Sequence, residues 1–150
     1  MASKAQLDND IKTALLGGDR FRGEVLKGLK AAILNEEVAQ GKREEGLSDE
    51  AIETIISKEV KKRADSAQQY QAANRPELVE AETAEMNILK DYLPEQLTED
   101  DIQVVIKEVI VSLGAAGPQA MGQIIGAVKK RLGNSADGGT IARLVKEALA

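Results

Sequence analysis

The stretch GPQAMGQIIGAVKKRLGNSADGGTIARLVK, Gly117 to Lys146, sets the fold of this chain. Met121, Ile124, Ile125, Val128 and Leu132 recur at helical spacing, as do Ile141, Leu144, Val145 and Ala148 further on. Gly133 supplies a C-terminal stop for the first run, and Asp137 an N-cap for the second. Pro118 opens the first, where the missing N–H is harmless. Upstream, Ile102, Val105, Ile106, Val109 and Leu113 mark a third helix from Glu99, ended by Gly114. Its VVIKEVIV core is rich in β-branched residues and also suits a strand. The spacing, the length and a Thr98…Asp101 capping box favour helix. Three short amphipathic helices on short loops predict a small bundle over 98–150.

The rest of the chain reads the same way. Ser3 caps a helix from Lys4 to about Leu16, with Leu7, Ile11, Ala14 and Leu15 on one face. Gly17-Gly18 ends it, and Asp19 caps a second helix, about Arg20 to Gln40, striped by Val25, Leu29, Ala32 and Ile33. Gly23 and Gly28 weaken that helix by about 1 kcal/mol each. Residues Gly41 to Leu47 form an exposed loop. Ser48-Asp49-Glu50 starts a third helix reaching about Ala73, with Ile52, Ile55, Ile56, Val60, Ala64 and Ala67 inward and Tyr70 closing the stripe. Lys58, Lys61, Lys62 and Arg63 line it, as a solvated face. Pro76 begins a fourth helix to about Asp91. Pro94 then breaks the chain inside DYLPEQL, whose apolar anchors Tyr92, Leu93 and Leu97 are expected to pack into the first module. The expected fold is all-α: an N-terminal helical module over 1–93, a hinge at 94–97 and the three-helix module at 98–150.

Composition narrows the chemistry. Among 150 residues there is no His and no Cys, and Phe21, Tyr70 and Tyr92 are the only aromatics. The usual general base, the strong thiolate nucleophile and the commonest zinc ligands are missing. No P-loop is present, so neither a metal nor a cofactor is expected, and no catalytic residue is assigned. Glu80, Glu82 and Glu85 are plentiful carboxylates without a partner base. The N-terminal MASKAQLDND has no apolar run and nothing approaches 18 apolar residues, so neither secretion nor membrane spanning is expected, and the placement is cytoplasmic.

Charge singles out the last third. The formal net charge is −5, yet Gly114 to Ala150 holds Lys129, Lys130, Arg131, Arg143 and Lys146 against only Asp137 and Glu147. One reading is a set of helix-end cations that complement the macrodipole. The other is a polyanion contact, made to phosphate and shape because stacking aromatics are scarce. Gly122 and Gly126 stand four apart on one helix face. Either a neighbouring helix packs against that bare backbone, or a nucleic-acid backbone approaches it. Gly138-Gly139-Thr140 is either a plain helix entry or an anion-holding N-terminus helped by Arg143.

The order of motifs resembles the GatB/YqeY family over nearly the whole chain. The residues that carry the resemblance are LKAAILNEEV (Leu29–Val38), the capped helix after Leu47-Ser48-Asp49-Glu50, Lys58 to Arg63, and Glu85 to Leu97 with YLPEQL. The long run Met121–Leu149 completes it. The resemblance implies a two-part all-α fold. It also implies kinship to the tail of the B subunit of the glutamine-dependent amidotransferase that converts Glu-tRNA(Gln) to Gln-tRNA(Gln). There the tail holds the tRNA body while the chemistry occurs elsewhere. The cradle for amide formation is absent, so a carbon–nitrogen ligase activity with glutamine as donor is implied by family association alone. Gly138-Gly139 departs from the family in lacking a lysine. The implied role is a tRNA-binding adaptor using Lys129, Lys130, Arg131, Arg143 and Lys146, with Gly122, Gly126 and Gly138 as points of backbone approach. The alternative is a protein-interaction module on an aminoacyl-tRNA synthetase or amidotransferase subunits.

Overall fold

The computed structural model describes residues 3–114 and 117–150. Met1 and Ala2, at the head of the polar N-terminal stretch, and Ala115 and Ala116, between Gly114 and Pro118, lie outside the described residues. The described residues form seven α-helices and two short 3-10 turns, without a strand among them: the protein is all-α. Two compact units divide the chain, Met1–Leu93 and Pro94–Ala150. No single helix among the described residues is long and apolar enough to cross a membrane.

In the first unit, α1 (Lys4–Leu16), α2 (Arg20–Ala39), α3 (Asp49–Ala72) and α4 (Pro76–Lys90) enclose Leu7, Val25, Leu26, Leu29, Ile33, Ile52, Ile56, Leu89 and Tyr92. The starts obey local chemistry. Ser3, Asp19 and Ser48 each accept a hydrogen bond from a backbone N–H of the helix they precede. Gly23 has a packing reason: a Cβ there would fall 2.6 Å from Leu15 Cδ2, so its absence lets α1 close on α2. Gly28 has none, since a Cβ would meet nothing within 4 Å.

Two polar features of this unit escape the apolar pattern. Glu37, near the end of α2, is fully buried, with Lys4 Nζ 2.9 Å from Oε1 and hydrogen-bonded to Oε2 at 3.2 Å. Oε1 meets the ammonium off the hydrogen-bond direction and has no hydrogen-bond partner. Arg63 leaves the lysine face assigned to it and turns between α3 and α4, binding Glu59 at 2.7 Å and Glu85 at 3.0 Å. Glu85 is therefore a structural ion-pair partner and not a free carboxylate. Lys58, Lys61 and Lys62 have no carboxylate within ion-pair distance among the described residues.

The segment after α4 divides its anchors. Tyr92 is buried in the first unit's core, with Leu93 packed against it. Leu97 corrects the expectation: it packs in the second unit's core, and its N–H donates to the Ser135 carbonyl at 2.9 Å. Pro94 lies between these anchors, which is why one heptapeptide serves both units.

The Tyr92 hydroxyl donates to Asp10 Oδ2 on α1. Burial first, and then the Asp10 carboxylate, push its pKa up to about 12 from 10.0, with Arg22 opposing. Because the folded pKa is raised, this contribution to stability is complete below pH 10 and is lost as pH rises from 10 through about 12. Urea unfolding across that window should show a loss in the wild type that Tyr92→Phe lacks. Tyr92→Phe leaves every other side chain in place, so an identical decline would remove Tyr92 as the cause.

In the second unit, α5 (Glu99–Leu113), α6 (Met121–Leu132) and α7 (Gly138–Leu149) surround Ile102, Ile106, Val109, Ala120, Ile124, Val128, Ile141, Leu144 and Val145. The capping box at Thr98 and Asp101 forms in both directions, and Gly114 ends α5 in the left-handed region at φ 60°. Pro118–Ala120 makes a 3-10 turn ahead of α6, so Pro118 opens that turn and not the helix itself. Gly133–Ser135 is a second such turn, entered at φ 56°.

Candidate nucleic-acid interface

α6 fixes three of the five cations in its last turn, where positive charge complements the carbonyl end of the helix. Each residue advances about 100° around the axis, so Lys129 and Arg131 leave α6 roughly 160° apart, on opposite flanks. The contacts agree. Lys129 lies toward α7: a Cβ on Gly138 would come 3.3 Å from its Cε and Nζ. Arg131 turns to α5 and binds Glu108. Lys130 sits between them on the outward face with Gln123, Gly126 and Gly122. All four are exposed.

That outward face overturns the internal-packing reading of the two glycines. A Cβ at Gly122 or Gly126 would meet no atom of the described residues within 4 Å, so no neighbouring helix requires their bareness. At α7, Asp137 is occupied as the cap, its Oδ2 accepting from the Thr140 N–H at 2.9 Å and the Thr140 hydroxyl at 3.1 Å. Arg143 and Lys146 share the outer face of α7. Arg143 is held by Glu99 of α5 and by Glu147, and these hydrogen bonds, Glu147's first, raise its pKa above the usual guanidinium value. Lys129, Lys130 and Lys146 have no carboxylate within ion-pair distance among the described residues.

The five cations therefore fall into two groups. Three lysines present uncompensated charge, while both arginines are engaged by acids. The partners Glu99 and Glu108 are far from the arginines in sequence, and no local pattern marks them. Only Arg143 and Glu147, four apart on one helix, were readable as a pair. Exposed pairs of this kind add little to stability, so their importance is electrostatic rather than stabilising. No cluster of three or more His, Cys, Asp or Glu side chains suited to a metal occurs among the described residues.

The fold and this surface define an all-α protein of two small helical units, the second bearing exposed lysines with no ion-pair partner among the described residues. The chain belongs to the Yqey-like protein (YqeY) family, whose model matches residues 4–149. It is 33% identical over 131 residues to "Altered inheritance of mitochondria protein 41, mitochondrial" of Lachancea thermotolerans, covering 85% of this chain and 67% of the relative. The protein of that name from Pyrenophora tritici-repentis is 24% identical over 147 residues, covering 96% of this chain and 79% of its own. The Saccharomyces cerevisiae one is 31% identical over 116 residues, 75% of this chain and 60% of its own. These relatives are all named mitochondrial, which overturns the cytoplasmic placement drawn from composition. The inference failed for a physical reason: organelle-targeting leaders are amphipathic and need no apolar run, and a lack of cysteine is neutral among reducing compartments.

Proposed function

We propose that this YqeY-family protein is a non-catalytic accessory that binds tRNA through its second unit. One observation carries the reading: Lys129, Lys130 and Lys146 are exposed, with no carboxylate in ion-pair distance among the described residues, in a chain of net charge −5. The bare outward face of α6 supports it, because a ribose–phosphate strand can approach an uncovered helix backbone closely. The scarcity of aromatics favours recognition of folded RNA by shape over stacking on single-stranded bases. The resemblance to the amidotransferase tail favours tRNA among folded RNAs.

Three neutralised phosphates give a log–log salt slope of about −2.7 on the duplex estimate. Titration of labelled total tRNA should show that dependence for the wild type. Lys129→Ala/Lys130→Ala/Lys146→Ala should bind at least about tenfold more weakly near 50 mM salt. Equal, salt-independent binding by both proteins would remove the reading.

A second reading, docking on a protein of the tRNA-charging or amidotransferase machinery, is favoured by exposed apolar side chains on α5. Val104 is 56% exposed and Val111 81%. A pulldown with and without nuclease separates the two. Partners lost with the RNA support tRNA binding, and partners retained support docking.

A further inference from the structure

Helix α5 supplies the acids that occupy both arginines of the candidate face. Glu99, its first residue, meets Arg143 from 44 positions away, and Glu108 meets Arg131 from 23. All four side chains are about half exposed. Pairs this open add little to fold stability. Their effect on an approaching polyanion is larger. A guanidinium is the directional, two-pronged phosphate binder, whereas an ammonium acts as a point charge. In this unit the guanidiniums are engaged, and the ammoniums have no carboxylate in ion-pair distance among the described residues. A phosphate within the Debye length of about 8 Å also meets the carboxylate's repulsion.

The geometry points to Glu99 and Glu108 as affinity-limiting residues that hold Arg143 and Arg131 away from RNA phosphates. The face then engages RNA through three lysines and releases it readily. This rests on the RNA-binding reading above and adds its regulation. The effect is specific to these acids: Glu95 and Asp100 are exposed in the same unit and pair with no cation among the described residues.

The test is anisotropy of labelled total tRNA between about 50 and 200 mM salt. It compares wild type, Glu99→Gln/Glu108→Gln, and a control of equal charge change, Glu95→Gln/Asp100→Asn. Freeing the arginines raises the neutralised phosphates from three toward five, and the slope from about −2.7 toward about −4.5. The first double variant should bind about tenfold tighter at low salt, and the control less than about threefold. Because Glu147 also holds Arg143, Glu108→Gln alone should give the larger share of the gain. Matching thermal melts establish that all three proteins are folded. Equal gains in both double variants would make net charge the cause and overturn the assignment, as would unchanged affinity in a wild type that binds. No salt-dependent binding by any of the three overturns the RNA reading itself.

Discussion

Replacing Lys4 by methionine should destabilise the protein by about 3–5 kcal/mol, because breaking a buried ion pair leaves an uncompensated charge behind. Glu37 has no solvent exposure, and among the described residues the Lys4 ammonium is the only charge set against it. The lysine's side chain is 41% exposed, so water entering its place moves the loss toward the lower figure. Even about 3 kcal/mol is a large part of the 5–15 kcal/mol that stabilises an ordinary domain. The position is itself informative. Lys4 is the first residue of α1, where the helix dipole favours an acid, and no acid stands in that first turn. A cation placed against the dipole fits a role set by Glu37. In urea melts, Lys4→Met/Glu37→Met should return to within about 1 kcal/mol of wild type, since an apolar pair of similar volume replaces the ionic one. A double variant as unstable as the single would show that packing of the lysine stem, and not the charge, holds α1 to α2.

Glu37 also shows where a sequence stops being readable. It follows Ile33 by four residues, on the side of the helix that carries Leu29 and Ile33. The apolar stripe Val25, Leu29, Ala32 and Ile33 stops short of it, because an apolar pattern does not register a buried carboxylate. The helices themselves were legible because their ends are chemical. Ser3, Asp19, Ser48, Thr98 and Asp137 all cap as their side chains allow. The β-branched α5 stayed helical because its capping box and inward face agree, and they override a modest local preference. What the chain could not reveal is pairing across helices. Arg63 with Glu85, Arg131 with Glu108 and Arg143 with Glu99 join residues 22, 23 and 44 apart. For the same reason the surplus of five cations over two acids in the last third misjudged the surface, because the balancing acids sit on α5. Glycine bareness was likewise ambiguous. Gly23 faces Leu15, whereas Gly122 and Gly126 face nothing, and only coordinates separate the two cases.

The second large effect should come from Ile124→Ala. Ile124 is fully buried on α6, among Ile102, Ile106, Val128, Ile141 and Leu144. Removing its side-chain carbons loses transfer free energy and leaves a cavity that three packed helices fill only in part. The expected loss is about 2–5 kcal/mol. It falls on a unit, Pro94–Ala150, near the size at which folding buries only about 60% of the chain's surface. Stability there is thin, so the substitution should leave a sizeable population with α5 to α7 open. Hydrogen exchange reads this directly: amides in α6 and α7 should lose protection, while those around Leu26 and Ile56 in the first unit serve as the internal comparison. Lys129 and Lys130 ride on the same helix and Lys146 on its neighbour, so RNA affinity should fall with protection. That fall should occur although no cation has been removed. Gly126→Ala separates the causes from the other side, since it adds a methyl on the outward face without touching the core and should strengthen α6 by up to about 1 kcal/mol. If Ile124→Ala left protection in α6 and α7 unchanged, the close packing of that core would be wrong, and the rigidity required of the lysine face would lose its basis.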